Sequence, residues 1–147
     1  MSREIKFRAW DKLEKRMLGV QCIAHVDNGD VFIKATEKAI WEPLSNKTNQ
    51  DGTENNEFEL LQFTGLYDAH GAEIYEGDVV NYILPTMNKT QEILCIVDFG
   101  KGAYYLKETR FDGRFYLLME VEQDDIVVIG NMYENPWMVE NLNKGLC

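Results

Sequence analysis

A chain of 147 residues that is 45% hydrophobic and 12% aromatic carries enough apolar material for a packed core, which excludes a fully disordered protein. Fifteen basic against twenty-five acidic side chains give a net charge of −10, so binding to nucleic acid over the whole surface is disfavoured. Three cysteines, three prolines and two histidines exclude a disulfide scaffold, a proline-rich linker protein and a histidine-rich metal protein.

Residues 4–10 alternate, with Ile5, Phe7 and Ala9 on one face and Lys6 and Arg8 on the other, which predicts a half-buried strand. Residues 11–16 form a polar turn, and residues 17–26 read as the returning strand of a hairpin. Asn28-Gly29 is the strongest hairpin-turn signal in the chain, because Asn-Gly readily takes the positive φ values of a type I′ turn. A short strand at 31–33 follows. Residues 35–42 fit either a short helix or a strand, and Pro43 is expected to end either one. The stretch 45–57 holds no large apolar side chain and buries nothing to offset its ordering entropy, so it reads as a mobile loop.

The remainder is dense in strand patterns, at 58–64, 79–84, 93–99, 104–106, 115–121 and 125–129. In 93–99, Ile93, Cys95, Val97 and Phe99 share one face, and Leu94 and Ile96 on the other imply burial on both sides. Asn135 suits a helix N-cap and Pro136 the first helical position; Trp137, Met138 and Leu142 supply an apolar stripe, and Gly145 a stop. About nine short strands and one C-terminal helix predict a mainly β fold, barrel-like or a sandwich. The organisation read from this pattern is a hairpin region at 1–44, the loop at 45–57 and a main barrel-like region at 58–147, or one continuous domain.

The motifs offer little chemistry. Gly65, Gly71 and Gly77 recur every six residues, but no Gly-Lys-Ser/Thr and no following helix accompany them, so they read as turns rather than a phosphate loop. Asp68, Glu73, Glu76 and Asp78 lie among these glycines and form a candidate acidic site. An EF-hand reading that starts at Asp68 fails at His70 and Ala72. Glu120, Glu122, Asp124 and Asp125 make a second acidic cluster, read as a solvated strand edge and turn. His25 and His70 have no ligand spacing, no Cys-x-x-Cys pair exists, and no nucleophile signature is present. These patterns assign no catalytic residue, metal site or cofactor. Cys95 reads as a buried small hydrophobe, and Cys147 as an exposed thiol. The N-terminus lacks an apolar secretion segment, and the longest clean apolar run, 93–97, is too short to span a membrane.

One local exception to the acidity is the N-terminal segment. Lys6, Arg8, Trp10, Lys12, Lys15 and Arg16 there form a candidate nucleic-acid or partner face, although a solvated strand face and turn explain the same pattern.

Lys6-Phe-Arg-Ala-Trp-Asp-Lys12 with Met17, the long segment 63–80 (Phe63-Thr-Gly-Leu-Tyr-Asp-Ala-His-Gly-Ala-Glu-Ile-Tyr-Glu-Gly-Asp-Val-Val80) and Ile129-Gly-Asn-Met-Tyr-Glu-Asn-Pro136 resemble the YopX family. The resemblance implies a mainly β fold with a barrel-like core, a phage or prophage origin and a bacterial cytoplasmic location. It supplies no activity and no catalytic residues. The leading expectation is a non-enzymatic accessory protein that binds a host or phage protein or a second copy of itself, with no membrane association. A small β protein that binds nucleic acid through the basic N-terminal hairpin is the alternative. Two further readings are imitation of DNA by the carboxylates and an enzyme built on the acids between Asp68 and Asp78.

Overall fold

The computed structural model describes residues 4–27, 30–37, 40–44, 58–87, 90–110 and 113–139. The Asn28-Gly29 turn, the stretch 45–57, and Leu142, Gly145 and Cys147 lie outside the described residues. Eleven strands follow in chain order: β1 Phe7–Asp11, β2 Arg16–His25, β3 Val31–Ala35, β4 Trp41–Leu44, β5 Phe58–Tyr67, β6 Glu73–Tyr75, β7 Asp78–Leu84, β8 Gln91–Gly100, β9 Ala103–Glu108, β10 Phe115–Leu117 and β11 Ile126–Asn131. Short 3-10 turns occupy Leu118–Glu120 and Gln123–Asp125, and residues 137–139 begin a short C-terminal helix.

The strands form two antiparallel sheets, ordered β4-β3-β2-β1-β5-β6 and β10-β9-β8-β7-β11. Neither closes on itself, so the mainly β fold expected from the sequence is built of two open sheets and not of a closed barrel. The strand count exceeds the sequence expectation of about nine for two reasons. Residues 41–44 are a strand that contains Pro43, which is tolerated because β4 lies at a sheet edge. Residues 73–75 pair with β5, although three residues are too few to show alternation. The strand expected over 115–121 ends at Leu117, where a 3-10 turn takes over.

The chain divides into two compact units, one of Ile5–Gln62 and the other of Met1–Glu4 with Phe63–Cys147. In the first, Ala9, Leu18, Ile33, Ala35 and Phe58 form the buried cluster. The turn joining β1 to β2 is closed by Asp11, whose Oδ1 accepts the N–H groups of Leu13 at 3.0 Å and Glu14 at 3.1 Å. Lys15 sits at the left-handed φ of 54° that ends it.

In the second unit, Ile74, Val80, Tyr82, Ile93, Cys95, Val97, Leu106, Leu118 and Ile126 form the core. Ile93, Cys95 and Val97 project into it as their alternation predicts, and Leu94 and Ile96 on the opposite face are half-buried. Phe99 departs from the expectation: at the strand end it is 51% exposed and meets Tyr104 edge-on at 5.0 Å. Burial pushes the Cys95 thiol up to about 12, with the neighbouring Glu108 adding to the shift, so it remains a neutral hydrophobe.

Gly65, Gly71 and Gly77 all have φ between 82° and 87°, the left-handed region that favours glycine. Their six-residue recurrence is therefore turn geometry. Asn135 caps in an unexpected way. Its carbonyl accepts the Met138 N–H at 3.0 Å, but its side chain accepts the Asn131 N–H at 3.2 Å and so reaches back to the end of β11.

Candidate functional site

The N-terminal basic residues do not form an open cationic face. Trp10 is buried at 8% exposure, so its ring is not free to stack on a base. Arg16 pairs with Glu14 at 2.8 Å and with Glu37 at 3.3 Å, and Lys12 lies 4.0 Å from Glu59. Lys6 and Arg8 are half-buried, and Lys15 is exposed in the turn. The acids brought in by the β1–β2 turn, β5 and the segment after β3 thus compensate much of the charge concentrated in the first sixteen residues.

The four acids between 68 and 78 divide by role. Asp68 is buried, and its Oδ1 accepts the N–H groups of His70 at 2.9 Å and Ala72 at 2.8 Å while Oδ2 accepts that of Val128 at 2.9 Å. Burial pushes this carboxyl up. The three N–H donors and the nearby His70 outweigh that, and hold it below the ordinary value of 3.8. Asp78 is buried and accepts the Tyr75 N–H at 2.8 Å, and Glu73 accepts the Tyr75 hydroxyl at 2.8 Å. Glu76 is half-buried in the β6–β7 turn. Among the described residues no three His, Cys, Asp or Glu side chains converge as a metal site.

A different feature emerges from how the sheet edges are finished. An edge strand exposes unpaired N–H and C=O groups, and proteins normally blunt or cover them. On β11, the outward Ile126 carbonyl accepts the Ala69 N–H at 2.9 Å and the outward Val128 N–H is taken by Asp68. On β6, the Tyr75 N–H is taken by Asp78. On β4, Pro43 has no N–H to offer. β10 has no comparable cover among the described residues.

The register fixes which groups of β10 are free. Glu108 N–H donates to the Arg114 carbonyl at 2.9 Å, and Tyr116 stands opposite Leu106. Residues 114 and 116 therefore bond toward β9, so the N–H and C=O groups of Phe115 and the N–H of Leu117 point away from the sheet, while the Leu117 carbonyl caps the 3-10 turn Leu118–Glu120.

Side chains on the two faces of this edge form two different hollows. On one face Gly100, Lys101, Ala103, Tyr105, Phe115 and Leu117 line a groove of about 440 Å³. Phe115 is 63% exposed and Leu117 42%, and the Phe115 ring meets Tyr105 edge-on at 5.3 Å. A Cβ at Gly100 would stand 3.2 Å from Tyr105 Cε1, a tight contact, so glycine gives the ring room to lie across the strand. The Tyr105 hydroxyl donates to Asp98 at 3.2 Å; burial and the Asp98 carboxylate raise its pKa, so the ring stays neutral. On the other face Leu84, Gln91, Ile93, Glu108, Arg110, Arg114 and Tyr116 line a hollow of about 190 Å³. Arg110 Nε pairs with Glu108 at 3.4 Å, and Arg114 is exposed.

The YopX protein family model matches residues 6–140, most of the chain. The chain belongs to the YopX family. No curated protein matches it. Among solved structures, protein EF1440 from Enterococcus faecalis is similar to this YopX-family chain with a TM-score of 0.62 at 25% identity, covering 94% of this chain and 99% of that one. Protein yopX from Bacillus subtilis is similar with a TM-score of 0.58 at 24% identity, covering 89% of this chain and 94% of that one. Both likenesses extend over nearly whole chains. Among the described residues no helix is long and apolar enough to cross a membrane.

Sequence reasoning missed the β10 edge in this YopX-family chain because it assigned the aromatics to core packing. A signal was present. Four of the six basic residues in 61–147 (Lys101, Lys107, Arg110 and Arg114) fall within fourteen positions, interleaved with Tyr104 and Tyr105 and followed at once by Phe115.

Proposed function

We propose that this YopX-family chain is a non-enzymatic phage or prophage accessory protein that acts in the bacterial cytoplasm by binding another protein, and that β10 is its docking edge. The observation that carries the reading is a sheet edge that none of the described residues covers, flanked by exposed Phe115 and Leu117. Large apolar side chains beside unpaired backbone groups are a liability unless a partner covers them. The phage context rests on the family resemblance. The rival nucleic-acid reading draws no support from the hairpin, where Trp10 is buried and Lys12 and Arg16 face carboxylates.

The test is affinity capture of the tagged protein from host and phage-infected lysates, with and without nuclease and at two salt levels. The wild type is run beside a Phe115→Ser/Leu117→Ser variant whose folding is verified by thermal unfolding. The proposal predicts a stoichiometric protein that survives nuclease and is lost from the variant. Capture that depends on nucleic acid, or a protein retained equally by the variant, contradicts it.

A further inference from the structure

The two hollows share one edge strand, and this restricts what docks there. Successive residues of an added strand project to opposite faces, so one set of its side chains meets the groove of Tyr105, Phe115 and Leu117 and the other meets the hollow of Arg110, Arg114 and Tyr116. The first set is best apolar. The second faces two guanidiniums, of which Arg110 already shares Glu108 and Arg114 is turned to solvent. Carboxylates suit that face, because guanidinium–carboxylate hydrogen bonds are charge-assisted and directional.

We propose that the ligand of the β10 edge is an extended segment of a partner protein in which acidic and large apolar residues alternate. It adds to β10 as an antiparallel strand held by the outward N–H and C=O groups of Phe115 and the outward N–H of Leu117. This inference rests on the docking reading above and specifies its ligand. A second copy of the chain is a poorer occupant. Pairing β10 with β10 would turn Arg114 and Tyr116 of the second copy, not carboxylates, toward the arginine-lined hollow. The local charge also favours an acidic segment, since Lys101, Lys107, Arg110 and Arg114 concentrate here in a chain whose net charge is −10.

The experiment measures fluorescence anisotropy of a labelled nonapeptide alternating Glu with Phe, titrated with the full chain. Three comparison peptides accompany it: one of identical composition with the acids and aromatics in separate blocks, one N-methylated at alternate amides, and one with Lys in place of Glu. Saturable binding of the alternating peptide is expected, weakened about tenfold or more by blocking, by N-methylation, by Phe115→Ser and by Arg114→Glu. The Lys peptide is expected to prefer Arg114→Glu over the wild type. Both substituted positions are exposed, and thermal unfolding confirms that each variant folds.

Equal binding of the blocked and alternating peptides, indifference to N-methylation, or no binding overturns the inference. So does self-association of the free chain that disappears with Phe115→Ser in sedimentation, which would give the edge to a second copy. An edge-dependent protein captured from lysate alongside a silent alternating peptide leaves the docking reading standing and removes only this ligand. Capture indifferent to Phe115 and Leu117 removes both.

Discussion

Asp68 anchors the turn between β5 and β6 to β11, because one buried carboxylate accepts N–H groups from His70, Ala72 and Val128. Removing it leaves three donors unsatisfied. Asp68→Ala is therefore expected to cost about 3 kcal/mol or more, measured by urea unfolding. Asp68→Asn keeps one acceptor oxygen and is expected to fall between wild type and alanine. The pH dependence has a definite sign. The folded carboxyl lies below its ordinary value of 3.8, so its contribution is full above that value and is lost as pH falls from there through the folded pKa. Wild-type stability should drop more steeply below about pH 4 than that of Asp68→Asn. Gly130 makes a second prediction at this scale. A Cβ there would stand 2.5 Å from Asn135 Oδ1 and 3.2 Å from Met138 Sδ, so the junction after β11 must shift. Gly130→Ala should destabilise by about 1–3 kcal/mol, and an Asn135→Ala background should reduce that cost in a double-mutant cycle.

At the scale of elements, β10 separates fold from function. Leu106, fully buried opposite Tyr116, belongs to the core, and Leu106→Ala is expected to cost about 2–5 kcal/mol. Phe115 contributes chiefly its ring contact with Tyr105, so Phe115→Ser should cost about 1 kcal/mol or less while removing docking. Thermal unfolding of the two variants beside the capture experiment separates these effects. The same contrast marks what the sequence could reveal. β1 and β8 were legible because their side chains alternate over several residues, and β2 and β7 because their apolar stretches are bounded by turn residues. β4 was obscured by Pro43, which only its edge position permits, and β6 by its length of three residues. The glycine turns at 65, 71 and 77 and the hydrophobic role of Cys95 were also legible, being local in origin. The β10 site was not. Whether Phe115 faces a core or solvent depends on which strand ends the sheet, and that is decided by pairings remote in sequence.

At the scale of the molecule, the exposed cations among the described residues of this acidic chain gather in two places and are paired differently. In the N-terminal hairpin, Lys12 and Arg16 lie against Glu14, Glu37 and Glu59, whereas Arg114 beside β10 is turned to solvent. Long-range charge therefore weighs against nucleic acid, and short-range charge at β10 favours carboxylates. The thiols report on integrity at the same scale. Cys22 is exposed, and Cys95 is buried with its pKa raised to about 12. Alkylation at pH 8 followed by peptide mass spectrometry should modify Cys22 in the native state and Cys95 only when the core between β7 and β9 opens.

The β10 edge is proposed as the place where this YopX-family protein meets its partner. Amide hydrogen exchange on the captured complex, compared with the free chain, tests it most directly. The Phe115 and Leu117 amides face outward and are predicted to exchange readily when free and to become protected in the complex. The N-terminal hairpin, residues 6–16, should remain unchanged. Protection confined to that hairpin, with the β10 amides exchanging as before, would contradict the account.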